Sequence, residues 1–331
     1  MKFLVIQTAF IGDVVLATAI IEKLHAHFPG SQIDFLVRKG NEGLLQNHPY
    51  LHEVLIWEKN SGKLWNLWKL IRAVRERQYD TVINVQRFAA TGILTAMSRA
   101  TTTIGFDKNP FSKFFTERVP HVIGDVHNVI HEVARNNELI KDLTGNVLMK
   151  PRLYPSAADE AAVKPYIRPQ YITVSPASVW FTKQYPKDKW VLFLDRVPPG
   201  YTIYLLGAPG DARLAEEIIK KTSHPSVINL CGQLSFLQSA ALMSHAAMNY
   251  VNDSAPMHFA SAVNAPVTAV YCSTLPSFGF GPLSDKSFIV EIQGPLKCRP
   301  CGLHGRSSCP LGHFKCAYEI KEEQLLVTLP G

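Results

Sequence analysis

The chain alternates short, unbroken apolar runs with longer stretches whose apolar residues return every three to four positions. Residues 2–7, 33–37, 54–57, 81–85 and 103–106 read as strands, the first of them a buried parallel one. Between them residues 13–27, 41–47, 63–77 and 91–98 read as helices. The first carries Val14, Val15, Ala17, Ile20, Ile21 and Leu24, and Pro29 with Gly30 ends it. A helical pattern returns over 128–143. Residues 151–169, rich in Pro and Ala and without a strong period, read as a linker. The alternation then restarts, with strands at 171–175, 202–206 and 227–230 and helices at 187–197, 211–222 and 235–244. From Tyr250 an apolar strand runs into a polar turn, a small-residue helix, a short break at Asn264-Ala265-Pro266 and a second strand. A loop-rich cysteine segment follows, and a last helix lies near 319–326. Strands alternating with helices at this spacing mean parallel sheets, so the fold class is α/β. Two Rossmann-like halves are expected, residues 1–155 and 156–331, facing a central cleft with ligands at the carboxyl ends of the strands.

Composition narrows the partners. Among 331 residues, 47% are hydrophobic and 18% charged, which supports a well-buried core and argues against disorder. The formal net charge of +7 suits an anionic partner. The basic residues are scattered without a nucleic-acid-binding signature, so no nucleic acid is expected. Gln7, Gly12 and Asp13 interrupt the N-terminal apolar run, which argues against a signal peptide, and no run approaches the ~18 apolar residues of a membrane span. A cytoplasmic protein is expected, able to touch a membrane. Residues 63–77 bear on that contact: Leu64, Trp65, Leu67, Trp68, Leu70 and Ile71 are interleaved with Lys63, Lys69, Arg72, Arg75 and Arg77. Such a helix can lie on an anionic bilayer, or it can simply pack its apolar face on the sheet.

Four loops carry candidate chemistry. After the first strand, Gly12 permits a tight turn with room for a ligand. Asp13, at a helix start, can serve as a general base toward a hydroxyl or simply complement the helix dipole. In the second half, residues 174–178 and Lys183 form the first strand-to-helix loop, and a lysine there can meet phosphate oxygens. Gly207 and Gly210 permit close backbone approach, and Asp211 can bind ribose hydroxyls or cap the next helix. In the turn at 252–258, Asp253 or Ser254 can cap a helix whose first turn holds Pro256. The free N–H groups and positive dipole end of that helix make an anion site.

These blocks, in this order, resemble the ADP-heptose:lipopolysaccharide heptosyltransferases of glycosyltransferase family 9. The similarity runs from Ile11-Gly12-Asp13-Val14-Val15-Leu16 through the Pro176 loop with Lys183 and the Gly207 turn to Asn252-Asp253-Ser254 with His258. The cysteine segment is similar to the tail of heptosyltransferase-II-like members. The resemblance implies a GT-B fold and a metal-independent, inverting transfer from an ADP-heptose-type nucleotide sugar to a lipid-linked anionic saccharide of the lipopolysaccharide inner core. It implies Asp13 as base and Lys183 as stabiliser of the leaving diphosphate. Gly12, Ser178, Gly207 and Asp211 would lie on the donor side. Ser254, Ala255, Met257 and His258 would hold the pyrophosphate, and Asp253 would support that turn. Ala177 and Ala255 replace glycines common in the family, and Pro256 removes an N–H. A nucleotide-sugar epimerase or a non-catalytic nucleotide-sugar-binding protein are the alternatives. No cofactor is expected for catalysis.

Cys298, Cys301, Cys309 and Cys316 lie within nineteen residues, with His304 and His313 interleaved. They read either as a structural zinc site or as free thiols. Cys231 and Cys272 beside apolar runs read as core residues.

Overall fold

The computed structural model describes residues 1–59, 62–125 and 127–330. The chain divides into two compact units, Met1–Tyr154 and Pro155–Gly331.

The first unit contains β1 (Lys2–Ile6), α1 (Ile11–His27), β2 (Gln32–Arg38), β3 (Glu53–Trp57), α2 (Lys63–Arg77), β4 (Thr81–Asn84), α3 (Ala89–Ala96), β5 (Thr102–Phe106), β6 (Glu117–Val119), α4 (Glu132–Glu138) and α5 (Lys141–Thr144). Its strands form one parallel sheet in the order β3-β2-β1-β4-β5-β6. The apolar runs form strands because both faces are covered. Phe3, Leu4, Val5 and Ile6 are fully buried, and α2 lays Leu67, Leu70, Ile71 and Val74 on the side holding Leu55 and Trp57. The expected helix at 41–47 is only a 3-10 turn, Glu42–Leu44, and the pattern at 128–143 divides into α4 and α5. The side chain of Lys63, counted among the basic residues of α2, lies outside the described residues.

The second unit runs α6 (Ala157–Val163), β7 (Tyr171–Ser175), α7 (Lys187–Leu194), β8 (Thr202–Leu205), α8 (Ala212–Ile219), β9 (Val227–Asn229), α9 (Phe236–Ser244), β10 (Met248–Asn252), α10 (Ala255–Ala262), β11 (Val267–Tyr271), β12 (Ser287–Glu291), α11 (Lys315–Tyr318) and α12 (Glu323–Leu326). Its parallel sheet follows β12-β11-β10-β7-β8-β9. The stretch read as a linker holds α6. Ser156 accepts from the Asp159 amide at 3.2 Å while Asp159 accepts from the Ser156 amide at 2.8 Å, a reciprocal cap that starts the helix without any apolar period.

Both sheets have the doubly wound order, in which the chain reverses direction beside its first strand. The reversal falls between β1 and β4, where Ile6 pairs with Asn84, and between β7 and β10, where Val251 pairs with Ser175. At such a point the two loops leave in opposite directions and open a crevice at the carboxyl ends. Within each unit this selects two loops: those after β1 and β4, and those after β7 and β10. Among the described residues, no helix is long and apolar enough to cross a membrane.

Candidate active site

In the second unit the site is built on Asn252, the buried last residue of β10. Its side-chain oxygen accepts from the Tyr185 amide at 2.9 Å, and its amide donates to the Pro176 carbonyl at 2.8 Å. One side chain thereby ties the loop after β7 to the residues that follow Lys183. The next residue, Asp253, is buried; its carboxylate meets the Lys183 ammonium at 2.7 Å and accepts from the Thr274 hydroxyl at 2.6 Å. The side chains of Lys183 and Asp253 are only 14% and 7% exposed, so water screens the pair poorly. The fold thus brings together two residues expected at the site that stand 70 positions apart in the sequence.

Lys183 is braced from behind by the cysteine-rich segment. The Thr182 amide donates to the Arg306 carbonyl at 3.1 Å, and its hydroxyl oxygen accepts from the Arg306 amide at 2.7 Å and the Ser273 hydroxyl at 2.9 Å. Gly305 permits this approach. At its φ of +77° a side chain is strained, and a Cβ would come within 3.1 Å of Lys183 Cγ and Thr182 Oγ1. Arg299 donates to the Thr274 carbonyl at 2.7 Å and pairs with Glu291. Thr182, Asn252, Ser273, Thr274, Arg299 and Gly305 all escaped sequence reasoning. Asn252 stood in the block with Asp253, Thr182 beside Lys183, and Arg299 and Gly305 within the cysteine segment.

The turn into α10 differs from expectation. Ser254 is the N-cap residue but makes no side-chain cap, its hydroxyl donating instead to the Asn252 carbonyl at 3.3 Å. Asp253 does not cap either, because its carboxylate is engaged by Lys183 and Thr274. Pro256 has no N–H and the Met257 amide donates to the Ser254 carbonyl at 3.1 Å, so the turn presents the amides of Ser254 and Ala255. The Met257 side chain, expected on the pyrophosphate, is fully buried with its sulfur accepting from the Tyr271 hydroxyl at 3.3 Å. His258 is buried near the Phe280 ring, and the Ser178 carbonyl accepts from Gln184 at 2.6 Å.

The Gly207 turn is tightly packed. A Cβ at Gly207 would come within 2.9 Å of the Asp211 side chain, whereas Gly210 faces open space. Asp211 accepts from the Ala208 amide at 2.8 Å and closes the 3-10 turn Pro209–Asp211, but as the N-cap residue of α8 its side chain makes no cap there.

In the first unit, α1 begins at Ile11, two residues early. Gly12 therefore lies in the first helical turn and not in a tight loop, and Asp13 is the third helical residue, accepting from the Phe10 amide at 3.2 Å. Positive charge gathers around it. Arg135 of α4 is buried and paired with Glu132. Burial and the neighbouring Arg87 push its pKa down to about 10, while the negative charge of Asp13 acts to raise it. His121 is pushed down to about 4 by burial and by Arg87 and Arg135.

Beside the start of α1, a cavity of about 370 Å³ is lined by Ile11, Arg38, Lys39, Asn41, Trp57 and Lys59, among others. Lys59 donates to the Thr8 carbonyl at 3.1 Å and hydroxyl at 2.7 Å and lies over the Trp57 ring. Burial, then the charge of Arg38, brings it down to about 8. Lys39 is paired with Glu58; among the described residues Arg38 and Lys59 have no carboxylate partner, so the cavity is basic. Sequence reading missed it because Arg38 ends β2 while Lys59 lies two residues beyond the end of β3.

The cysteines, read either as a zinc site or as free thiols, gather in one place: Cys298 Sγ lies 3.8 Å from His313 Nε2, and Cys301, Cys298 and Cys309 all act on the Cys316 thiol. Among the described residues, the only group with metal-holding spacing is Asp34, His52 and Glu53, where Glu53 is already paired with Arg77, and Asp34 with His52 and Tyr79. Three of the sulfurs also have contacts of their own. Cys301 donates to the Cys298 carbonyl at 3.4 Å, Cys309 accepts from the Phe314 amide at 3.4 Å, and Cys316 is buried in the core. Burial, and then the neighbouring thiols, push Cys316 up to about 12.

A phosphate-competent turn and a poised carboxylate, each at the reversal point of a doubly wound sheet, occur in many nucleotide enzymes. Residues 67–307 match the family model described as glycosyltransferase family 9 (heptosyltransferase). The chain belongs to glycosyltransferase family 9. It is an enzyme of the glycosyltransferase class, and the epimerase and non-catalytic readings give way. This family 9 member is 28% identical to lipopolysaccharide heptosyltransferase 3 of Escherichia coli, over 80% of this chain and 82% of the relative. Its fold is that of the E. coli ADP-heptose lipopolysaccharide heptosyltransferase II (TM-score 0.80, 20% identity, 99% of this chain and 97% of the other). It is also that of a family 9 glycosyltransferase from Veillonella parvula (TM-score 0.86, 20% identity, 99% and 95%). The fold is GT-B.

Proposed function

We propose that this family 9 enzyme transfers a heptose, with inversion, from an ADP-heptose-type donor to a lipid-linked anionic saccharide of the lipopolysaccharide inner core, at the cytoplasmic face of the membrane. The observation that carries the reading is the buried Lys183–Asp253 pair beside the Ser254 and Ala255 amides at the reversal point of the second sheet. As the bond from the anomeric carbon to the diphosphate breaks, its electron pair passes to the phosphate oxygen. A lysine held by a carboxylate, and backbone amides already pointed at the charge, stabilise that oxygen without reorganising. The Asp13 carboxylate removes the acceptor hydroxyl proton as its oxygen attacks the sugar. The basic cavity beside α1, with Arg38 and Lys59, supports an anionic acceptor. The second unit is thus the donor side and the first the acceptor side.

The test is a thermal-shift series with ADP, UDP and GDP, followed by turnover of Asp13→Asn. Selective stabilisation by ADP is expected, at roughly RT ln(1 + [L]/Kd). D13N keeps that shift but loses transfer. Stabilisation by UDP or GDP instead refutes the donor, and near-normal transfer by D13N refutes the base.

A further inference from the structure

Helix α2 has a wider apolar arc than the sheet covers. Leu67, Leu70, Ile71 and Val74 meet the sheet through Leu55 and Trp57. Beside them, continuing the same arc outward, Leu64, Trp65 and Trp68 are 77%, 66% and 55% exposed. At spacings of one, three and four they form one contiguous patch. Single exposed apolar residues are ordinary, but two indoles and a leucine side by side in water are not.

The charges around the patch select its occupant. From Leu64 to Arg75 the helix has no acidic residue, and Glu76 is its only carboxylate. Lys69 lies over the Trp65 ring at 5.5 Å, and Arg72, one turn beyond Trp68, is solvent-exposed and paired with Glu76. Arg75 is turned away, donating to the Met97 carbonyl at 2.6 Å. A second copy placed on this face by a twofold axis would bring together two surfaces of the same positive sign. An anionic lipid surface supplies the opposite charge and an interfacial layer in which indoles settle.

We propose that α2 docks the enzyme on an anionic bilayer, with Leu64, Trp65 and Trp68 seated among the headgroups and Lys69 and Arg72 on the lipid phosphates. The inference rests on the lipid-linked acceptor argued above, and it names the surface that brings the first unit to that acceptor. The experiment is sedimentation of the full chain with vesicles of phosphatidylcholine alone or mixed with phosphatidylglycerol, with tryptophan emission recorded alongside. Wild type binds the mixed vesicles and its emission shifts to the blue. W65S/W68S loses at least about tenfold in partitioning. K69Q/R72Q loses about fivefold per charge, as does wild type in high salt. The exposed positions leave the thermal midpoint and the shift on adding ADP unchanged. Absence of binding to mixed vesicles, or equal binding by W65S/W68S, overturns the proposal. So does a wild-type dimer that W65S/W68S dissolves without any vesicle binding, which would assign the face to a second copy. Failure of the ADP shift in every variant would refute the donor reading and leave the vesicle result standing.

Discussion

Asp253→Asn isolates the Lys183–Asp253 ion pair on which the proposed donor side rests. The substitution preserves shape but leaves the Lys183 ammonium opposite a neutral amide in a pocket where that side chain is 14% exposed. Removing one partner of a buried pair costs about 3–5 kcal/mol, because the remaining charge stays desolvated. The asparagine oxygen can still accept one hydrogen bond, so the lower end applies, about 3 kcal/mol. For a unit of this size 1 kcal/mol moves Tm by about 2–4 °C, so the melting transition falls by roughly 6–12 °C. Turnover falls as well, because Lys183 is no longer held toward the diphosphate; one lost stabilising donor costs about 10²–10³ in kcat. Differential scanning fluorimetry and initial-rate release of nucleotide read the two effects. The double variant K183M/D253N separates them. With neither charge left in the pocket, stability recovers toward wild type while turnover does not. D253N that melts at the wild-type temperature and turns over within a few-fold of it would falsify the coupling. A double variant that loses the sum of both singles would show that the two side chains act independently.

Gly305→Ala tests the brace behind Lys183. The strained φ costs about 1–2 kcal/mol and the new Cβ presses on Lys183 Cγ, so kcat falls in steady-state assays while the thermal shift with ADP survives; unchanged kcat and Tm would refute the brace. Lys59 gives a pH test. Its folded pKa, about 8, lies below the ordinary 10.5, so the unfolded chain holds more protons between those values and stability rises as pH climbs through that window. Below pH 8 both states are charged and the cost is constant. Lys59→Met lacks the rise, so the wild-type advantage in Tm should grow from pH 8 to 10.5, and parallel curves would contradict the burial of that charge.

The alternation of apolar runs with helical spacing determined the α/β class and the division into two parallel-sheet units, because those periods report which faces are covered and need no knowledge of partners. The placing of functional loops after β1, β7 and β10 was legible for the same reason: the motifs with Asp13, Lys183 and Asp253 each follow an apolar run. The tertiary structure decided what those residues touch. Lys183 meets Asp253 across 70 positions because the chain order reverses between β7 and β10. Thr274 and Asn252 complete that site from separate turns, and Gly305 and Arg306 reach it from the cysteine segment. No local pattern encodes such pairings. Asp253 gave its carboxylate to Lys183 and Thr274 in place of a cap, Asp211 closed the Gly207 turn from within, and the four thiols gathered around Cys316. For α2 the period announced an apolar face, but only the folded surface showed that Leu67 and Ile71 fill it while Trp65 and Trp68 stay outside. A hydrophobic residue states a preference for leaving water; the fold decides whether a protein core is there to receive it.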